Sequence, residues 1–168
     1  MAVDPEAVKE LRELTGAGIL ACKKALEEAR GDLEKAKEIL RRQGVAIAEK
    51  KAGRKTGQGL VDAYLHPDGR LGALVELNCE TDFVARTDEF RDLAHDLAMQ
   101  VAATEPLYVS PEELAAAGND GNPQELCLLA QPFIKDPSRT IQDLINETIA
   151  KTRENIRVRR FARFQLGR

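Results

Sequence analysis

The chain opens with three short stretches of helical periodicity. Ala7, Leu11 and Leu14 recur at i, i+4 and i+7 with Val8 beside them, behind an Asp4-Pro5 pair that suits a helix start. Thr15-Gly16-Ala17-Gly18 breaks this helix. In the next, Cys22, Ala25, Leu26 and Ala29 form the apolar stripe, while Lys23, Lys24, Glu27 and Glu28 face outward. It ends at Gly31. Asp32 caps a third helix whose stripe is Leu33, Ala36, Ile39 and Leu40, and Gly44 is the expected C-cap. Residues 1–45 are thus expected to form a minimal three-helix module.

From Glu49 to Gln58 the chain is polar, basic and punctuated by glycine, so residues 46–58 are read as a linker. A period of two then takes over. Val61, Ala63 and Leu65 alternate with Asp62 and Tyr64, and Leu71, Ala73, Val75, Leu77 and Cys79 alternate likewise, around a His66-Pro67-Asp68-Gly69-Arg70 turn. Phe90, Leu93, Ala94, Leu97, Ala98 and Val101 mark the strongest helix of the chain. Ile141, Leu144, Ile145 and Ile149 mark another, opened by Thr140 and Asp143 at capping-box spacing. Ile156, Val158, Ala162, Phe164 and Leu166 are assigned to one side of a final strand, interrupted by Arg160. Glu112 to Asp136 carries little pattern and is read as a turn with flanking short helices. Residues 59–168 are therefore expected to form an α+β module, a small antiparallel sheet of about three strands packed with helices.

Composition narrows the class. Of 168 residues, 43% are apolar and 32% charged, a balance that supports a folded core. No apolar run approaches the roughly 18–20 residues of a membrane span, and the start of the chain is acidic where a signal peptide is basic. Cys22, Cys79 and Cys127 form no CxxC pair, which argues against a disulfide framework or a closed zinc site and for a cytoplasmic location. A net charge of −3 argues against a general nucleic-acid binder.

Candidate chemistry is sparse. His66 and His95 lie at no metal-ligand spacing, Cys79 ends an apolar strand as a buried thiol would, and Gly53-Arg54-Lys55-Thr56-Gly57 is no phosphate-binding loop. No cofactor and no covalent catalysis are expected. The informative segment is Glu80-Thr81-Asp82-Phe83-Val84-Ala85-Arg86, between a strand and a helix. Phe83 fits neither periodicity, so it is either tucked under the loop as core or displayed as an anchor for a partner. Asp82 either caps the following backbone or presents a carboxylate. An alternative of another class is RNA binding by Arg157, Arg159, Arg160 and Arg163 with Phe161 on the last strand.

Two long segments carry a resemblance. Leu11-Arg12-Glu13-Leu14-Thr15-Gly16-Ala17-Gly18-Ile19-Leu20-Ala21-Cys22-Lys23-Lys24-Ala25-Leu26 and Glu76-Leu77-Asn78-Cys79-Glu80-Thr81-Asp82-Phe83-Val84-Ala85-Arg86 resemble the two signatures of the bacterial elongation factor Ts family. The order also resembles that family: a ubiquitin-associated-like helical module, a basic linker, a core, then Asn155-Ile156-Arg157-Val158-Arg159-Arg160-Phe161. The chain departs from the pattern before Gln131-Pro132-Phe133, where members with one core module usually carry a longer helical insertion.

The resemblance implies guanine-nucleotide exchange on elongation factor Tu, not bond chemistry. It assigns disturbance of the partner's Mg²⁺ side to Thr81, Asp82, Phe83 and Val84. It assigns partner contact to Leu11, Ile19 and Leu20, where Leu11 and Ile19 also fit the bundle core, and to His66 at the hairpin tip. It further implies a homodimer; no membrane and no direct nucleic-acid partner are expected from the apolar runs and the net charge.

Overall fold

The computed structural model describes residues 3–168. Helices α1 (Pro5–Thr15), α2 (Ile19–Glu28) and α3 (Leu33–Lys51) pack around Leu11, Cys22, Ala25, Leu26, Ala29 and Ala36. Their starts are built as the sequence suggests. Asp4 Oδ1 accepts from the Glu6 amide at 3.0 Å and Asp32 Oδ1 from the Lys35 amide at 3.0 Å, satisfying N–H groups that have no partner inside the helix. Leu14 departs from its expected place in the stripe: it is exposed, and Leu11 alone of α1 is fully buried.

The expected end of the third helix is also corrected. Gly44 is an interior, buried position, and α3 runs on to Lys51. Tertiary contact explains this, because the second half of α3 lies against α8 (Ile141–Thr152): Arg41 pairs with Asp143 at 3.5 Å, and Ile47 and Ala48 pack on the main core. The first part of the stretch read as a linker is thus helix, and residues 52–57 make the connection to the sheet.

The sheet has three antiparallel strands in the order β1 (Gln58–Leu65), β2 (Leu71–Cys79), β5 (Ile156–Gln165). The β1–β2 turn is the expected one, with Gly69 at φ 69°. In β2 the inward set Ala73, Val75, Leu77 and Cys79 is as expected. In β1 the phase is reversed: Leu60, Asp62 and Tyr64 face the helices, and Val61 and Leu65 face outward. The inward carboxylate is tolerated because Asp62 meets His95 Nδ1 at 3.2 Å, so His95 is a tie between helix and strand as well as a surface residue. In β5 a bulge opposite Glu76 and Leu77 shifts the pairing, which puts Phe161 and Arg163 inward and turns Ala162, Phe164 and Leu166 outward, against the single-sided expectation.

Over the inner face lie α4 (Asp82–Ala85), α5 (Asp88–Thr104) and α8. Phe90, Leu97, Val101, Ile141 and Ile145 join Val75 and Leu77 in the main core, and α8 opens with the expected Thr140–Asp143 capping box. The weakly patterned stretch contains α6 (Pro111–Ala116) and α7 (Pro123–Leu126), the expected flanking helices. It also contains an unpredicted two-stranded ribbon of β3 (Pro132–Phe133) and β4 (Asp136–Thr140). Buried Gln100 holds this ribbon, donating to Gln131 Oε1 at 3.1 Å and to the Pro132 carbonyl at 3.0 Å while accepting from the Ile134 amide at 2.9 Å.

Candidate functional site

Where β2 ends, the buried Cys79 thiol donates to the Thr81 carbonyl at 3.1 Å and starts a tight passage into α4. Burial, and next the neighbouring Glu154 carboxylate, push this thiol up to about 11, so it is an inert structural group at neutral pH. Thr81 is the N-cap of α4, its hydroxyl accepting from the Val84 amide at 3.4 Å. Val84 packs on the main core and Ala85 is buried. Thr87 closes the segment by donating to the Val84 carbonyl at 2.8 Å and capping α5.

Phe83 points the other way. Its side chain is 79% exposed on this single helical turn, which decides between the two readings left open by the sequence: it is displayed. Asp82, beside it, is held to Arg86 at 3.0 Å in an exposed i, i+4 pair. The Thr81 side chain and the core-packed Val84 set the shape of the turn, and Asp82 and Phe83 form its open surface.

A second exposed apolar set lies at the junction of α1 and α2. Ile19 is 56% and Leu20 75% exposed, and Leu14, at 54%, joins them. Leu11 does not: it is fully buried in the helical core, so its assignment to partner contact is corrected to that of a support beneath the surface. A groove of about 400 Å³ between α1 and α2 is lined by Val3, Val8 and Ile19 together with the cations Lys9, Arg12 and Lys23. His66 stays on the exposed hairpin turn, its Nδ1 at 2.9 Å from Asp68 Oδ1.

The C-terminal end of α8 and the turn after it approach the backbone beside each set. Lys151 Nζ lies where a Cβ on Gly16 would fall, and Gly16 adopts φ 63° in the α1–α2 junction. Three residues further on, the Glu154 carboxylate meets Thr81. Leu14 and Glu154 are the site residues that the sequence pattern did not flag. Leu14 shares its spacing with a true core residue, and Glu154 is 73 positions away from the hydroxyl it contacts.

The arginines of β5 do not make a stacking surface. Phe161 is partly buried against the main core, Arg163 donates to the Ala102 carbonyl at 3.0 Å, and Arg159 and Arg160 both reach Glu76, at 3.7 and 2.8 Å. Three of the four arginines are thus engaged with protein groups and the interleaved aromatic is turned inward, while Arg157 is exposed. Among the described residues there is no group of three or more His, Cys, Asp or Glu side chains able to hold a metal ion, and no helix is long and apolar enough to cross a membrane.

The family described as Elongation factor TS matches the chain over residues 8–120 and again over 119–168, the two matches meeting in the glycine-rich loop before α7. An elongation factor Ts of Carboxydothermus hydrogenoformans is 52% identical over 98% of this chain and 89% of its own length. That of Moorella thermoacetica is 54% identical over 95% of this chain and 93% of its own. That of Thermotoga maritima is 51% identical over 99% and 98%.

Proposed function

The chain belongs to the elongation factor Ts family and is a translation elongation factor, and from that premise we propose that it promotes release of GDP from elongation factor Tu by engaging the GTPase without its nucleotide. The observation that carries this reading is Phe83, an aromatic ring displayed on a turn whose Thr81 and Val84 side chains are held. Aromatic side chains, which bring large apolar area on few rotatable bonds, are effective anchors at interfaces.

An exchange factor shifts its partner's equilibrium only through differential affinity, so it must bind the empty GTPase more tightly than the GDP-bound one. Phe83 is the wedge: an apolar ring seated in the partner only when the nucleotide side of that protein has moved. Asp82 brings a carboxylate to the Mg²⁺ side, where it competes with the partner's own ligands, while Thr81 and Val84 hold the turn. Since Mg²⁺ offsets phosphate charge, loosening its shell weakens GDP. The metal belongs to the partner, and this chain needs none.

Ile19, Leu20 and Leu14 form the second contact, with Lys9, Arg12 and Lys23 favouring an acidic partner surface, and His66 contributes a polar contact at the hairpin tip. One core module offers two limited patches, so the active form is a homodimer. The outer face of the sheet supports that state, because Val61, Leu65, Leu74, Phe164 and Leu166 are all exposed on it. The protein works in the cytoplasm beside its partner.

The test is release of a fluorescent GDP analogue from elongation factor Tu in excess unlabelled GDP, with wild type and with Phe83→Ala. Wild type accelerates release and Phe83→Ala loses about thirtyfold or more of the stimulation, the loss typical of an aromatic hot spot. Equal stimulation by both proteins removes the wedge.

A further inference from the structure

We propose that Glu154 is the positioning residue of the Thr81–Val84 segment, holding the start of α4 so that Phe83 is presented in one fixed direction. This rests on the reading of Phe83 given above. A four-residue helix cannot sustain itself, and Phe83, being exposed, adds nothing to its burial. Val84 and Ala85 secure its inner side. On its N-terminal side the Cys79 thiol holds the Thr81 carbonyl, and the Glu80 and Thr81 amides and the Thr81 hydroxyl all go to one carboxylate, Glu154.

Glu154 Oε2 accepts from the Glu80 amide at 3.1 Å and from the Thr81 amide at 3.0 Å, and Oε1 accepts from the Thr81 hydroxyl at 2.5 Å. Three donors thus converge on one anionic group, the charge-assisted kind of bond that is roughly twice as strong as its neutral counterpart. The third bond also orients the hydroxyl: its proton goes to Glu154, which leaves an oxygen lone pair for the Val84 amide. Glu154 therefore orients the N-cap of α4.

The grip is reciprocal. Glu154 sits in the turn between α8 and β5, where Arg153 takes φ 62°, and the next residue, Asn155, donates its amide N–H to Glu80 Oε1 at 2.7 Å. The buried Asn155 side chain donates to the Ala52 carbonyl at 3.3 Å and the Arg54 carbonyl at 2.9 Å, just past the end of α3. One turn thereby holds both the Phe83 segment and the exit of the helical module. A segment already ordered in this way loses less conformational entropy when it enters a partner.

The full chain is compared as wild type, Glu154→Ala and Glu154→Gln. Glutamine keeps an oxygen for the two backbone N–H groups and a polar partner for the hydroxyl; alanine keeps neither. In Glu154→Ala, hydrogen exchange at the Glu80 and Thr81 amides accelerates about tenfold or more. The plateau of stimulated GDP release at saturating factor falls about tenfold, and Glu154→Gln restores both to within about threefold of wild type. A merely structural role lowers the folded fraction and leaves the plateau unchanged.

Wild-type amide protection in Glu154→Ala overturns the inference, as does faster exchange with an unchanged plateau. If Glu154→Ala does not fold, Glu154→Asp, which draws the carboxylate back by one methylene from the three donors, takes its place with the same expected directions and the same overturning results. If wild type itself fails to accelerate release, it is the exchange reading that falls, and amide protection still decides whether Glu154 holds the segment.

Discussion

Leu11 and Leu20 lie nine positions apart in one signature segment, yet the structure gives them opposite roles, and replacing each with alanine separates those roles. Leu11 is 0% exposed in the helical core and Leu20 is 75% exposed on α2. Truncating a buried leucine costs about 2–5 kcal/mol through lost transfer energy and the cavity left behind. For Leu20 only about a quarter of the side chain is buried; with full burial of a leucine at about 1.5–3 kcal/mol, its loss comes to about 0.5 kcal/mol. Helix propensity barely differs between the two residues.

At about 2–4 °C per kcal/mol for a chain of this size, scanning calorimetry should show a fall of about 5–15 °C for Leu11→Ala and about 1–2 °C for Leu20→Ala. Binding should rank them the other way at a temperature where both are folded. Loss of an exposed leucine from a contact costs about 1–2 kcal/mol, so titration calorimetry with elongation factor Tu should show Leu20→Ala weakened about five- to thirtyfold. A large fall in melting temperature for Leu20→Ala, or unchanged affinity, refutes the assignment of Leu20 to the partner surface.

Two further outcomes follow from the fold. Gly59 has φ 147°, and a Cβ there would collide with the Leu77 carbonyl across the β1–β2 pair, so Gly59→Ala should lower stability by about 2 kcal/mol or more in chemical denaturation. Hydrogen bonds from Arg41 and then Arg42 hold the Glu38 carboxyl down at about 2. A depressed carboxyl contributes stability above its unfolded value of 4.5 and loses it as pH falls from there toward 2, so Glu38→Gln should flatten the melting-temperature profile across that window.

Local signals were legible where one face of an element meets one core. The caps at Asp4, Asp32 and Thr140, the α2 stripe and the long α5 stripe all follow the rules of helix starts and apolar periodicity. The phase of β1 was not legible, because the strand carries apolar residues on both faces and its inward carboxylate, Asp62, is matched only by His95 from a helix far along the chain. Arg160, which interrupted the alternation of β5, marked the bulge that turns Phe164 outward. Gly44 looked like a cap because its neighbour α8 is out of sight in the sequence. The segment bearing Phe83 stood out by fitting no period, whereas its support, Glu154, is visible only once the chain is folded.

The central claim is that this chain prefers the empty form of its partner. Titration calorimetry of the wild-type protein with elongation factor Tu, nucleotide-free and then saturated with GDP and Mg²⁺, measures that preference directly. Affinity should be at least about tenfold higher for the nucleotide-free protein, and GDP affinity should fall by the same factor when this chain is saturating, since the coupling is reciprocal. Equal affinity for the two forms would contradict the account.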